Sequence, residues 1–323
     1  MKAIAQDGYG SADVLQLRDV DPPPVGDREV LLEVRAAGVD PGVWIFMTGR
    51  PYAARLAFGL RRPNVAVRGL DVAGVVTAVG ARVTRFRPGD EVYGTCGTGS
   101  FAEQATAKED RLALKPAAIS FEQAAATPVS GVTALQSLRD GGVQAGRRVL
   151  ITGAGGGVGT FAVQLAKAYG ASVTGVCSTG KADLVRSLGA DGVIDYTRHE
   201  VDRDGPVYDV IIDTAGNRPL SLLRRAATPR GTIVLVGGGH AQGRIMGGFQ
   251  RQMAAPLLSP FMSQRLRGVT ARVRAEELAE LSPLLESGQI TPVIGRSYPL
   301  AEAAGAIRDL SAGRYPGKLV VTI

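Results

Sequence analysis

At 323 residues the chain exceeds what one hydrophobic core usually organises, so two domains are expected. Its 45% hydrophobic and 21% charged residues are those of an ordinary globular enzyme, and its 43 glycines follow no fibrous period. Cys96 and Cys177 are its only cysteines, which excludes a disulfide framework and fits a reducing compartment, while the net charge of +7 reads as solvated surface rather than nucleic-acid binding.

The chain opens on MKAIAQDGYG, with no long apolar core, and no later run approaches the roughly 20 apolar residues that span a bilayer. A cytoplasmic protein without an integral membrane segment is expected. From Lys2 to about Pro116 the pattern is all-β: VLLEVRAAGV, LDVAGVVTAVG and DEVYGTC are apolar strands punctuated by DPPPVGD and RPGD. From about Ser120 strands alternate with helices, with RRVLITG, ASVTGVCS, YDVIIDTAG and GTIVLVGG as parallel-strand candidates of a doubly wound sheet. Between Arg244 and Arg274 there are six arginines and no acid around MAAPLLSPFM, which reads either as an exposed edge or as a lobe facing lipid or a partner. From about Thr291 a helical run, AEAAGAIRDL, precedes a last strand, KLVVTI. The expected boundaries are 1–120 for the first domain, completed by 291–323, and 121–290 for the second.

The strongest local signal is ITGAGGGVGTFAVQLAKAYGASVTGVCS. An apolar strand ends in a glycine turn that opens directly into a helix, with Val158, Phe161, Leu165 and Tyr169 on one helical face. Side chains at Gly153, Gly156, Gly157 or Gly159 would keep the backbone from a pyrophosphate, and the N–H groups at the helix start, Val158 included, stabilise its charge. About twenty residues on, an NAD enzyme places an acid on the adenosine ribose. Here the strand ends in Cys177, Ser178 and Thr179, with Lys181 just beyond. Ser178 offers a hydrogen bond and Lys181 a positive charge to a ribose phosphate, so NADPH is the expected cofactor. The alternative for Lys181 is a solvated lysine at a helix start.

These blocks, together with EVLLEVRAAGVDPGVW, GLDVAGVVTAVGARVTRFRPGDEVYG, AAATPVSGVTAL, VRSLGADGVIDY and GKLVVTI, resemble the medium-chain dehydrogenase/reductase superfamily, in its zinc-free quinone oxidoreductase (zeta-crystallin-like) and reticulon-interacting branch. The resemblance implies an α/β chain: a GroES-like β-barrel catalytic domain, to which the C-terminal strand returns, plus a Rossmann doubly wound parallel-sheet domain, with the active site between them. It also implies a reductase that moves hydride from NADPH to a small-molecule quinone or α,β-unsaturated carbonyl. The alternatives are a zinc-free NADP-dependent alcohol dehydrogenase or ketoreductase, and a non-catalytic NADPH-binding protein. No zinc site is expected. Asp40 stands where the zinc branch has cysteine, Gly69, Leu70 and Asp71 stand where it has Gly-His-Glu, and the only histidines are His199 and His240.

By the same resemblance Asp40, Trp44 and Tyr52 line the catalytic cleft. Asp40 is open between ribose binding, acid catalysis and capping a turn, and Trp44 and Tyr52 between the site and rim packing, Tyr52 being a candidate donor to the substrate carbonyl. Thr133 is carried over to the nicotinamide, Tyr196 to the adenosine phosphate, Lys318 to the pyrophosphate, and Gly216 and Gly237 to strand ends in the cofactor groove. Thr127 and Asn217 are weaker candidates, and Asp213 is expected to be structural. A homodimer through an edge strand of the Rossmann sheet, GVTARVR, is also implied.

Overall fold

The structure, a computed structural model, describes residues 1–237 and 249–323; His240 and Arg244 lie outside the described residues. The chain forms two compact units, one of residues 1–132 with 272–323 and one of residues 133–271.

The first unit begins with an antiparallel pair, β1 (Lys2–Ala5) and β2 (Gln16–Asp19). Strand β3 (Glu29–Val39) alternates buried and less buried residues along its first half, as a sheet with one face on the core requires. A helix, α1 (Pro41–Thr48), then interrupts the expected all-β run. Its signals are local: Asp40 Oδ1 accepts from Gly42 N at 2.7 Å as the N-cap, Pro41 stands in the first turn, and Gly49 takes the left-handed conformation that ends it. After the short α2 (Arg55–Phe58) come β4 (Asp71–Val79), β5 (Glu91–Thr95), β6 (Gln104–Lys108), β7 (Leu112–Leu114) and α3 (Phe121–Ala125).

Helix α4 (Pro128–Gly141) leads into the second unit, which contains β8 (Arg148–Thr152), α5 (Gly157–Ala168), β9 (Ser172–Cys177), α6 (Ala182–Ser187), β10 (Gly192–Asp195), β11 (Tyr208–Asp213), α7 (Leu220–Ala226), β12 (Ala227–Leu235), α8 (Phe249–Leu258) and β13 (Arg265–Gly268). The strands are parallel, in the order β10-β9-β8-β11-β12-β13. Counted from the first strand of the unit this is 3-2-1-4-5-6, the dinucleotide-binding order, whose direction reverses between β8 and β11. Leu150, Ile211, Ile233 and Leu266 of successive strands meet in one buried cluster. Helix α5 is buried from Gly159 to Ala166 on every side, a deeper setting than the single apolar face expected of it.

The edge strand departs from expectation. It is β13, residues 265–268, and shares only Gly268 with GVTARVR. After Gly268 the chain leaves the ladder and Val269 N bonds back to Leu235 O at 3.0 Å. A side chain at Gly268 would strike the Gln252 carbonyl, so glycine lets α8 close on the strand.

The chain returns to the first unit with α9 (Ala275–Glu286), β14 (Ile294–Pro299), α10 (Ala303–Ser311) and β15 (Lys318–Thr322). Strand β15 pairs antiparallel with β3 and completes a seven-stranded sheet. Residues 121–132 and 272–290, expected in the second domain, belong to the first unit. Tyr93 donates its hydroxyl to Leu278 O at 3.0 Å and so ties α9 to β5. Among the described residues no helix is long and apolar enough to cross a membrane.

Candidate cofactor-binding and active site

The glycine turn stands at the carboxyl end of β8, at the point where the strand order reverses. Gly153 has φ 66°, a conformation that L side chains resist, and Gly156 N closes the turn on Gly153 O at 2.9 Å. A Cβ at Gly159 would collide with the Gly153 carbonyl, whereas one at Gly156 would meet that oxygen only at 3.3 Å. Gly159 is thus demanded by the fold, and Gly156 leaves room for a ligand. Helix α5 starts without a side-chain cap, so the first-turn N–H groups of Gly157, Val158 and Gly159 have no partner within the helix. Such a start favours a phosphate.

The floor of this turn is held from below. Asp213, fully buried, accepts from Thr152 Oγ1 at 2.7 Å and Gly216 N at 3.2 Å and lies 3.3 Å from Arg251 Nη2, which makes it structural as expected. Gly216 has φ 66°, and a Cβ at Gly237 would strike the Thr214 carbonyl, so both glycines are explained by the tight strand ends they occupy.

At the carboxyl end of β9, Ser178 follows the strand and its side chain caps nothing. The Lys181 side chain lies along the glycine turn, its Cδ 2.9 Å from where a Cβ on Gly155 would be, and burial lowers its ammonium pKa. Tyr196 N bonds to Cys177 O at 3.1 Å, which ties Tyr196 to the end of the same strand. Two residues escaped sequence reading. The Arg218 guanidinium stands 5.5 Å from the Tyr196 ring and 3.5 Å from Glu200, a further cation beside that tyrosine. Asp195, opposite Cys177 on β10, accepts from Thr179 Oγ1 at 2.5 Å, and this bond above all holds its carboxyl below the usual range. No acid stands among Ser178 to Lys181 directly after β9, yet the neighbouring strand brings one to its end. Thr133 is buried in α4, where its carbonyl accepts from Ser137 Oγ at 2.6 Å. Asn217 follows the turn that Gly216 makes, and Thr127 donates to Gln123 O at 2.8 Å.

The first unit holds a buried polar cluster of its own. Asp71 is fully buried on β4, and Lys318, 3% exposed on β15, sets Nζ 3.4 Å from its Oδ2. The Lys318 side chain, carried over to the pyrophosphate by resemblance, here faces a carboxyl of its own sheet. Burial pushes the Asp71 carboxyl up to about 7, against the pull of Lys318 and with Asp40 adding to the rise. Asp40 is 2% exposed; Oδ1 caps α1 and Oδ2 has no hydrogen-bond partner. Capping accounts for one oxygen and leaves the other buried and without a partner. Trp44 packs against the core cluster around Met47 and Tyr298. Tyr52 is 41% exposed, and Arg55 lies between its ring, at 4.9 Å, and that of Tyr9, at 4.4 Å.

A Rossmann unit with an uncapped glycine turn, joined to a strand-rich unit that its own C-terminal strand completes, defines the class of two-domain nucleotide-dependent oxidoreductases. Residues 26–117 match the alcohol dehydrogenase GroES-like domain, and residues 188–321 match the zinc-binding dehydrogenase family. The chain is 34% identical to a 2-methylene-furan-3-one reductase of Solanum lycopersicum over 99% of its own length and 79% of the relative's. It is 36% identical to a quinone oxidoreductase of Pseudomonas aeruginosa, covering 99% of both chains. It superposes on Escherichia coli quinone oxidoreductase complexed with NADPH with a TM-score of 0.82 at 26% identity, covering 100% of both. The chain belongs to the medium-chain dehydrogenase/reductase superfamily, in its zinc-free quinone oxidoreductase branch. Despite the zinc in one family's name, no group of three His, Cys, Asp or Glu among the described residues is placed to hold a metal.

Proposed function

We propose that the protein is an NADPH-dependent reductase that transfers hydride to a quinone or an α,β-unsaturated carbonyl. The observation that carries this reading is the uncapped glycine turn at the sheet's switch point with Lys181 folded along it, in a chain whose relatives include reductases of this kind. The N–H groups of Gly157, Val158 and Gly159 would hold the pyrophosphate, with Gly153 and Gly156 leaving it room. Ser178, Lys181 and Tyr196, joined by Arg218, would hold the ribose phosphate. Bound there, NADPH supplies the hydride. Within the second unit Thr133 would face the nicotinamide, and Gly216 and Gly237 would end strands in the cofactor groove; within the first, Asp40 is the candidate for a ribose hydroxyl, Tyr52 for a donor to the substrate oxygen, and Trp44 for a wall beside it.

Among the described residues no group of His, Cys, Asp or Glu is placed to hold a metal, and the reading is of a reaction in which the substrate is not polarised by zinc. An acceptor that carries its own activation, such as a conjugated enone or quinone, suits such a site better than a simple alcohol. Steady-state rates with NADPH test this. Quinone or enone reduction should be robust and unchanged after prolonged chelation, and oxidation of simple alcohols with NADP⁺ slow; the opposite ranking would reject the proposal.

We place its action in the cytoplasm, since Cys96 and Cys177 are buried free thiols that suit a reducing compartment. A homodimer is part of the same reading. Strand β13 ends the sheet, and Met253, Leu257 and Phe261, spaced along one side of α8 and the turn after it, are exposed beside that edge, Phe261 by 88%. A second copy pairing at β13 would cover both the open ladder and this stripe.

A further inference from the structure

The segment from Pro41 to Leu70 carries no acidic residue and five arginines, Arg50, Arg55, Arg61, Arg62 and Arg68. Arg55 is engaged by its two tyrosines and Arg68 is buried, whereas Arg61 and Arg62 are exposed, as is Arg50, whose guanidinium stands 6.0 Å from the Tyr52 ring. Among these cations Leu56 is 81% and Leu60 66% exposed, with Val65 exposed beside them in sequence. The lobe is firmly held from inside. The Phe58 ring packs edge-on against Phe46 with centroids 4.4 Å apart, Tyr9 donates its hydroxyl to Gly59 O at 2.5 Å, and Asn64 N bonds to Phe58 O at 2.8 Å. The backbone therefore presents Leu56 and Leu60 outward on a tethered scaffold, where they contribute little to the core.

We propose that this lobe of the first unit, Arg50 to Val65, docks on an anionic lipid surface, with Leu56 and Leu60 entering the acyl boundary and Arg50, Arg61 and Arg62 meeting the phosphate headgroups. Apolar side chains ringed by arginines, with no acid in the segment, are the composition that binds at such an interface. A second copy of the chain fits less well, because a two-fold contact would set Arg61 and Arg62 against their own counterparts. A nucleic-acid backbone would satisfy the cations and leave the leucines in water. Docking would bring the protein to a lipid phase in which hydrophobic quinones dissolve; that consequence, unlike the lipid contact itself, rests on the reductase reading above.

Flotation of the full chain with vesicles tests the contact without needing turnover, so its failure is read separately from any failure of the reductase reading. Vesicles of phosphatidylcholine containing about 30% phosphatidylglycerol should carry the protein upward at about 0.1 M salt. Binding should fall at least about tenfold on phosphatidylcholine alone, and again at about 0.5 M salt, where exposed charges are screened. Leu56→Asp/Leu60→Asp and Arg61→Glu/Arg62→Glu should each abolish flotation while melting at the parent's temperature. The proposal is overturned if the parent stays with the unbound fraction, if it binds both vesicle types equally, or if either pair of substitutions leaves flotation intact. It is equally overturned if the parent is a dimer that Leu56→Asp/Leu60→Asp converts to monomer, which would give this surface to a second copy.

Discussion

Lys181 owes its importance to where its stem lies. Its stem is folded along the glycine turn, and burial lowers its pKa. A charge-assisted hydrogen bond contributes about 1.5 to 3 kcal/mol, so Ser178→Ala/Lys181→Ala should weaken NADPH binding roughly ten- to a hundredfold and leave NADH nearly unchanged. Paired fluorescence titrations with the two cofactors check this; equal affinities in the parent would remove the phosphate pocket from the reading. Asp71 makes a second prediction at this scale. Its carboxyl is held near 7 in the fold and returns to about 3.8 when unfolded, so the native state binds the proton more tightly. The stabilisation is complete below about pH 4 and is lost as pH rises to about 7, at up to about 1.4 kcal/mol per pH unit. Asp71→Asn holds the position in the neutral state, so it should cost little below about pH 4 and remove the loss on going to pH 7, and Asp71→Asn/Lys318→Met should likewise flatten the pH dependence. Urea melts across this range decide it; an unaltered slope in the double variant would assign the dependence to other groups.

Strand and helix ends carry the next level. In the glycine turn, Gly159→Ala drives a methyl into the Gly153 carbonyl, while Gly156→Ala has 3.3 Å to work with. Gly159→Ala should therefore lower the melting temperature and abolish NADPH binding together, and Gly156→Ala should keep the parent's melting temperature while cofactor affinity falls. Thermal melts beside cofactor titrations separate the two, and equal losses of stability would contradict the assignment. This turn was legible in the sequence because strand, glycines and helix are consecutive. Helix α1 was legible in principle too, since Asp40, Pro41 and Gly49 are its start and stop signals, but eight residues between two strong strands are easily absorbed into an all-β reading. The edge strand was misplaced for a different reason. GVTARVR alternates as a strand should, yet β13 spans Arg265–Gly268, where the Gln252 backbone of α8 packs close on Gly268, a contact that local alternation does not report.

For the whole molecule, the open β13 edge makes a concrete expectation. The protein should sediment as a dimer, and Leu266→Pro should be avoided as a test because Leu266 is core; Met253→Glu/Leu257→Glu on the exposed stripe should yield a folded monomer. A parent that sediments as a monomer at all working concentrations would sink the dimer. The succession of strands and helices, the glycine turn, the ordered family blocks and the missing zinc ligands were all determined by the sequence alone, because each rests on residues close together in the chain or on a residue type that is simply not there. What joins distant residues was decided only by the tertiary structure. Asp71 and Lys318 became a buried pair because β15 returns beside β3, Asp195 reached the end of β9 through the neighbouring strand, and Arg218 came to the Tyr196 ring from beyond β11. Local signals are strong over a few residues, but a buried charge's partner is set by strand order, and strand order is settled by how the whole apolar core packs.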